Sequence, residues 1–163
     1  MSKSLAVIEI ERVDWASFPI LGDRPEAVPE SLRRLISAVT EDEAMDAYWG
    51  LENVVVVQGQ LYGAALPTVP VLLAALLDDL SADARDLVLE LLFQIVAGEA
   101  DEEEAARGNV DLGDRCRAAA RQGLWLVYRE LGTRRRETAV AVLERIEDDK
   151  ARLAAYCAGL RGK

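Results

Sequence analysis

"ENVVVVQGQLYGA", residues 52–64, is the stretch whose reading decides the architecture. Four consecutive valines, Val54 to Val57, favour a β-strand, since β-branched side chains suit a pleated surface. Two amides and a glycine follow, Gln58-Gly59-Gln60, and then Tyr62. Upstream, Thr40-Glu41-Asp42-Glu43 has the spacing of a capping box, so a helix starts near 41 with Ala44, Ala47, Tyr48 and Leu51 on its inner face. Valine lowers helix stability by only a few tenths of a kcal/mol per residue (~0.5), and the first firm stop after 41 is Pro67. The expectation is therefore one long helix from about 41 to 64, kinked at Gly59, with a strand at 54–57 as the alternative. On the helical reading, Gln58–Gln60 is a close-approach glycine bracketed by amides that bond freed backbone groups. Tyr62 is then a core ring with a bonded hydroxyl rather than a catalytic phenol.

The same logic extends outward. Residues 5–13 (LAVIEIERV) alternate in part and suggest a short strand or an extended arm, and 16–28 is loop. Pro29 opens a helix with Leu32, Leu35, Ile36 and Val39 as its stripe. Thr68 caps a helix to about Asp79 with Pro70 in its first turn, and Ser81 caps 82–97, which Gly98 ends. Residues 99–113 read as an acidic loop with at most one helical turn. Helices follow at 114–131, 133–147 and 149–161. The plan is a single all-α domain over 1–163: an arm and loop (1–28), then six or seven helices in antiparallel pairs (29–161). A pair period of roughly 40 residues is that of a helical-repeat solenoid, and a closed bundle is the alternative.

Composition narrows the function. The chain has 163 residues, 51% of them apolar, and a net charge of −10, which suits a globular domain with a real core. The longest apolar run, Ala64–Leu77, is interrupted by Pro67 and Pro70, so no membrane association is expected. No signal peptide is evident, and a cytoplasmic location is the default. Cys116 and Cys157 are too far apart for a CxxC motif and are expected as free thiols. Histidine is absent, which removes the commonest general base, the usual zinc ligand and the histidine-activated nucleophiles. Adjacent carboxylates lack calcium-loop spacing. The expectation is no enzyme activity, no cofactor and no metal.

Charge is uneven along the chain. Between Asp78 and Glu104 there are ten acidic residues and one basic, whereas between Arg107 and Arg136 there are eight arginines and three acids. This suggests a bipolar binding surface, although charge runs commonly only solvate a face. The acidic candidates are Asp83, Asp86, Asp101, Glu102, Glu103 and Glu104; the basic ones are Arg134, Arg135 and Arg136. Trp15, Trp49 and Trp125 are each candidates for core or for an interface anchor. Trp49 is singled out because Tyr48 and Trp49 project about 100° apart on a helix, so one of them faces out.

Several of these residues recur in an order that resembles the small bacterial HEAT-repeat-like proteins. They are Val13-Asp14-Trp15, Val28-Pro29 with Leu32 and Leu35, Trp49-Gly50-Leu51, Gln58-Gly59, Tyr62 with Ala64, and Val69-Pro70-Val71-Leu72. The resemblance covers residues 13–78; beyond them only the helical rhythm matches. It implies an all-α HEAT-like fold. The group includes scaffolds and immunity-type proteins encoded beside polymorphic toxins, and it supplies no catalytic residues. The resulting expectation is a non-catalytic immunity or antitoxin protein, monomeric or weakly dimeric, that occludes the active site of a cognate toxin domain. A HEAT-like adaptor is the first alternative. A nucleic-acid-binding repeat is the second, disfavoured by the acidic net charge.

Overall fold

The computed structural model describes residues 2–160, and they are mostly helical, with ten α-helices and a small three-stranded sheet. The first correction is at the N-terminus. Residues 5–13 are neither strand nor arm: Leu5–Glu11 is α1. Ser4 caps it by accepting from the Val7 amide at 3.3 Å, and the Asp78 carboxylate accepts from the Leu5 and Ala6 amides at 3.1 and 3.0 Å. A helix start leaves its first amides unpaired, and here an acid from far along the chain pairs two of them. The 3₁₀ turn Trp15–Ser17 follows, with Trp15 buried and its indole N–H donated to the Ile10 carbonyl.

Helix α2 (Ala27–Ser37) and helix α3 (Glu41–Trp49) form the first antiparallel pair. The Thr40 hydroxyl accepts from the Glu43 amide, as expected, while the Glu43 carboxylate reaches back to the Val39 amide. The second correction is where α3 ends. It stops at Trp49, not near 64. Asn53 has φ 81°, a left-handed conformation incompatible with a continuing helix. The valines then supply strand β1 (Val56–Val57), paired antiparallel with β2 (Gln60–Leu61). Gln58 and Gly59 have φ 49° and 81°. Two consecutive positive φ values in a two-residue loop define the hairpin turn whose twist matches the flanking strands. Gln58–Gln60 is thus an exposed hairpin tip rather than a buried helical kink. Strand β3 (Glu99–Ala100) pairs with β2 in parallel and completes the sheet.

Helix α4 (Ala65–Leu77) begins before Thr68, whose hydroxyl bonds back to the Ala64 carbonyl inside the helix instead of capping it. Helix α5 (Ala82–Val96) is capped by Ser81 as expected. Val88, Leu89, Leu91, Leu92, Ile95 and Val96 of α5 are all completely buried, each large side chain worth about 1.5–3 kcal/mol of burial. The acidic loop contains a defined short helix α6 (Glu102–Ala106). The expected helix 114–131 is split at Gly123 into α7 (Leu112–Arg121) and α8 (Leu124–Arg129), with a 3₁₀ turn over Glu130–Gly132. A Cβ at Gly123 would sit 2.5 Å from the end of the Leu73 side chain, so a larger residue there would have to displace that side chain of α4. Helices α9 (Arg136–Ile146) and α10 (Lys150–Gly159) close the chain. The expected terminus of the last helix, residue 161, lies outside the described residues.

Helix α1 lies mainly against α4; α2 and α3 pack on each other and against α5; α4 and α5 pack on each other and against α7, with α9 on α5 and α7 and α10 on α9. One hydrophobic cluster draws on every helix except α6, whose buried residue is Glu104. Trp49 at the end of α3, and Trp125 and Tyr156 on α8 and α10, are exposed aromatic side chains.

Candidate protein-binding surface

Of the three tryptophans, Trp15 is core, whereas Trp49 and Trp125 are 51% and 55% exposed. Trp49 ends α3, and its ring stands edge-on to Tyr48, centroids 5.4 Å apart at 73°. Tyr48 is itself buried, so its ring is a fixed support. Burial, followed by the adjacent Glu52 carboxylate, raises the Tyr48 hydroxyl far above its ordinary pKa, and the phenol stays neutral. Trp49 therefore projects from a rigid base, which lowers the entropy lost when such a side chain is captured.

The surroundings of Trp49 are acidic. From Glu41 to Asn53 the chain carries Glu41, Asp42, Glu43, Asp46 and Glu52 and no basic residue. Asp46 lies three positions before Trp49 on α3, the spacing that shares a helical face, and Glu52 follows three positions after it, past the end of the helix. A cleft of ≈ 510 Å³ between α2 and α3 is lined by Arg34, Ser37, Asp42, Glu43 and Asp46. Its single guanidinium, Arg34, is bonded to Asp46. The site thus combines an exposed aromatic anchor with a surplus of carboxylates. Asp46 and Glu52 were not among the candidates, although their spacing from Trp49 was visible in the sequence.

The other acidic candidates fall into different places. Asp101 is buried and caps α6, accepting from the Glu103 amide at 3.0 Å. It also holds the buried Tyr62 hydroxyl, whose pKa is raised first by burial and then by Asp101. Glu104 is completely buried; it accepts from the Gly63 amide at 3.0 Å and the Asn109 side chain at 2.9 Å. Both are structural ties between α6 and the segment after the hairpin. Glu102 and Glu103 are exposed, and Asp83 is half-buried.

The arginine cluster is largely occupied. Arg134 is bonded to Asp86 at 2.5 Å, and Arg135 lies 2.7 Å from the other Asp86 oxygen and 3.4 Å from the buried Glu130. The 2.7 Å approach to Asp86 is off the N–H axis, so the Arg135 Nε–H is a close ionic contact without a hydrogen bond. Arg136 donates to the Leu131, Cys157 and Leu160 carbonyls and ties down α10. Asp86 thus joins the acidic run to the basic one, and the two charge blocks meet rather than form separate poles. Beside them, Arg85 and Arg129 donate to the Leu76 carbonyl, the last turn of α4, which offsets the negative end of that helix. The ≈ 470 Å³ cleft they line also contains Asp78, Asp79 and Glu130, so its charges are internally matched.

Among the described residues no group of three or more His, Cys, Asp or Glu side chains is placed to hold a metal ion, and no helix is long and apolar enough to cross a membrane. Cys116 and Cys157 are free, as expected. No protein-family model, curated protein or solved structure matches the chain.

Proposed function

We propose that this protein is a single-domain, HEAT-like helical-repeat protein of the immunity or antitoxin type. It acts without catalysis in the cytoplasm, by binding a cognate toxin domain and covering its active site. The contacts of the α2–α3 pair with α5, and of the α4–α5 pair with α7 and α9, support the repeat reading, because each pair of a solenoid touches its neighbours. The observation that carries the binding reading is Trp49, exposed on a buried tyrosine base and flanked by carboxylates. Tryptophan is enriched among interface hot spots, and a carboxylate rim steers approach to a basic surface, such as a cleft that binds phosphates.

The test is co-expression with the product of an adjacent toxin gene. The wild-type protein is expected to rescue growth, and Trp49→Ala to lose at least about 2 kcal/mol of binding, roughly thirtyfold in Kd, while unfolding at nearly the same temperature. A neighbourhood without a toxin gene, or rescue unchanged by Trp49→Ala and Asp46→Lys together, would overturn this reading. An adaptor with cellular partners is the second reading, favoured by the exposed aromatic cluster around Trp125 at the other end of the stack.

A further inference from the structure

Helix α10 is held differently from the helices it follows. Helix α5 buries seven side chains, and α9 buries Ala139, Val142, Leu143 and Ile146. Of the ten residues of α10 only Leu153 is buried, and Cys157, one turn on, is half-buried. Ala151, Ala154, Ala155, Tyr156, Ala158 and Gly159 are exposed. Its packing on other helices is chiefly on α9. Isolated helices shorter than roughly 12–15 residues are marginal in water, so α10 owes its order to the groups that tie it to α8 and α9.

Those ties are few, and most are polar. Near the start of α10 the Arg152 guanidinium donates to the buried Glu147 carboxylate at 2.8 and 3.0 Å, and the same carboxylate accepts from the buried Tyr128 hydroxyl at 2.6 Å. At the other end the Arg136 guanidinium donates to the Cys157 carbonyl at 2.6 Å and to that of Leu160. Between these two latches the Tyr156 ring lies 4.8 Å from Tyr128 and 5.8 Å from Trp125, and the Arg152 guanidinium lies 5.2 Å from the centre of the Trp125 ring. The connection from α9 is the segment 147–149, with extended backbone at Glu147 and Asp149. Hydrogen bonds lost on opening are replaced by bonds to water, so the two latches hold α10 less firmly than a buried apolar face holds α5. Elements with few buried apolar contacts open at a lower free energy than the core.

We infer that α10 is a strap that opens as a unit about residues 147–149 while α1–α9 stay folded. Closed, it covers the Tyr128 ring and holds Trp125 against Tyr156 and Arg152. Open, it releases both rings to water and frees Glu147 from Arg152. The surface around Trp125 therefore has two states set by α10, whereas Trp49, on its buried tyrosine base at the end of α3, has one.

The experiment is amide hydrogen exchange of the whole protein followed by NMR, with the tryptophan indole signals assigned by Trp49→Phe and Trp125→Phe. The amides of residues 154–159 are expected to share one protection factor, at least about a hundredfold below that of the α5 amides. Leu153→Ala removes the buried anchor of α10. It is expected to speed exchange of the same amides at least about tenfold further, to shift the Trp125 indole signal, and to leave α5 exchange and the Trp15 and Trp49 signals as in the wild type. The wild-type pattern needs no variant, and the Trp15 signal reports that the variant is folded. Protection of α10 equal to that of α5, or a graded loss of protection along α10, would overturn the inference, the latter by showing fraying in place of a unit. So would equal acceleration of α5 and α10 by Leu153→Ala, or a Trp125 signal that stays in place in that variant.

Discussion

The Glu104 carboxylate receives the Gly63 backbone N–H at 3.0 Å, joining α6 to the segment that follows the hairpin, 41 residues away in sequence. Glu104 is completely buried, and its charge is met by the Asn109 amide and the Arg107 guanidinium at 3.2 Å. Replacing it with alanine leaves the buried Gly63 N–H and the half-buried Asn109 amide without acceptors, a buried unpaired donor costing about 1–3 kcal/mol. Glu104→Ala is therefore expected to destabilise the protein by about 3 kcal/mol in urea unfolding. Glu102→Ala and Glu103→Ala, on the exposed side of the same helix, should stay within about 0.5 kcal/mol. Equal effects for all three would contradict this division of the acidic run.

The hairpin tip offers a gain. Gln58 holds φ 49° without being glycine or asparagine, and the turn it occupies prefers Asn-Gly. Gln58→Asn is expected to raise stability by a few tenths of a kcal/mol (~0.5). Gly59→Val, which forces a β-branched residue to φ 81°, should lower it by at least about 1 kcal/mol. Thermal unfolding of both variants checks the pair of signs.

Acid sensitivity traces to Glu147. Hydrogen bonds from Arg152 lower its pKa to about 2, more than offsetting the upward push of burial. Its folded pKa is thus below its unfolded value of about 4.3. The stability it contributes is fully present above the unfolded value and is lost as pH falls toward about 2. The stability gap between wild type and Glu147→Gln is expected to be constant at neutral pH and to narrow below about pH 4.3. A gap independent of pH would show that Glu147 does not titrate in this window.

The two thiols differ in reach. Cys116 is completely buried, and burial pushes its pKa up to about 12, so little thiolate forms near neutrality. Cys157 on α10 is half-buried. A disulfide-exchange reagent is expected to label Cys157 within the time that Cys116 stays protected, with Cys116 reacting only on unfolding. Simultaneous labelling would mean that α7 opens as readily as α10.

How much of this was legible in the chain depends on how far apart the interacting groups lie. The caps at Thr40 and Ser81, the buried stripe of α5 and the free cysteines involve residues within about four positions of one another, or none at all. All were readable. The helix from 41 to 64 failed because its interruption depends on a left-handed Asn53, a Gln-Gly turn outside the common Asn-Gly signal, and a third strand nearly 40 positions on. Within the candidate site, the exposure of one of Tyr48 and Trp49 followed from helical spacing, but which one faced solvent did not.

The amino-acid sequence by itself determined a mostly helical, acidic, histidine-free chain, because composition and short-range periodicity need no tertiary partner. Only the tertiary structure decided that residues 5–11 form a helix, since Asp78 arrives to pair its first amides. It likewise decided that Asp101 and Glu104 turn inward, that Asp86 pairs with Arg134 and Arg135, and that Trp49 and Trp125 reach the surface while Trp15 is buried. The physical reason is common to all four. A charged or polar side chain goes where its hydrogen-bonding partners are, and in this fold such partners come from segments 41 to 73 residues distant.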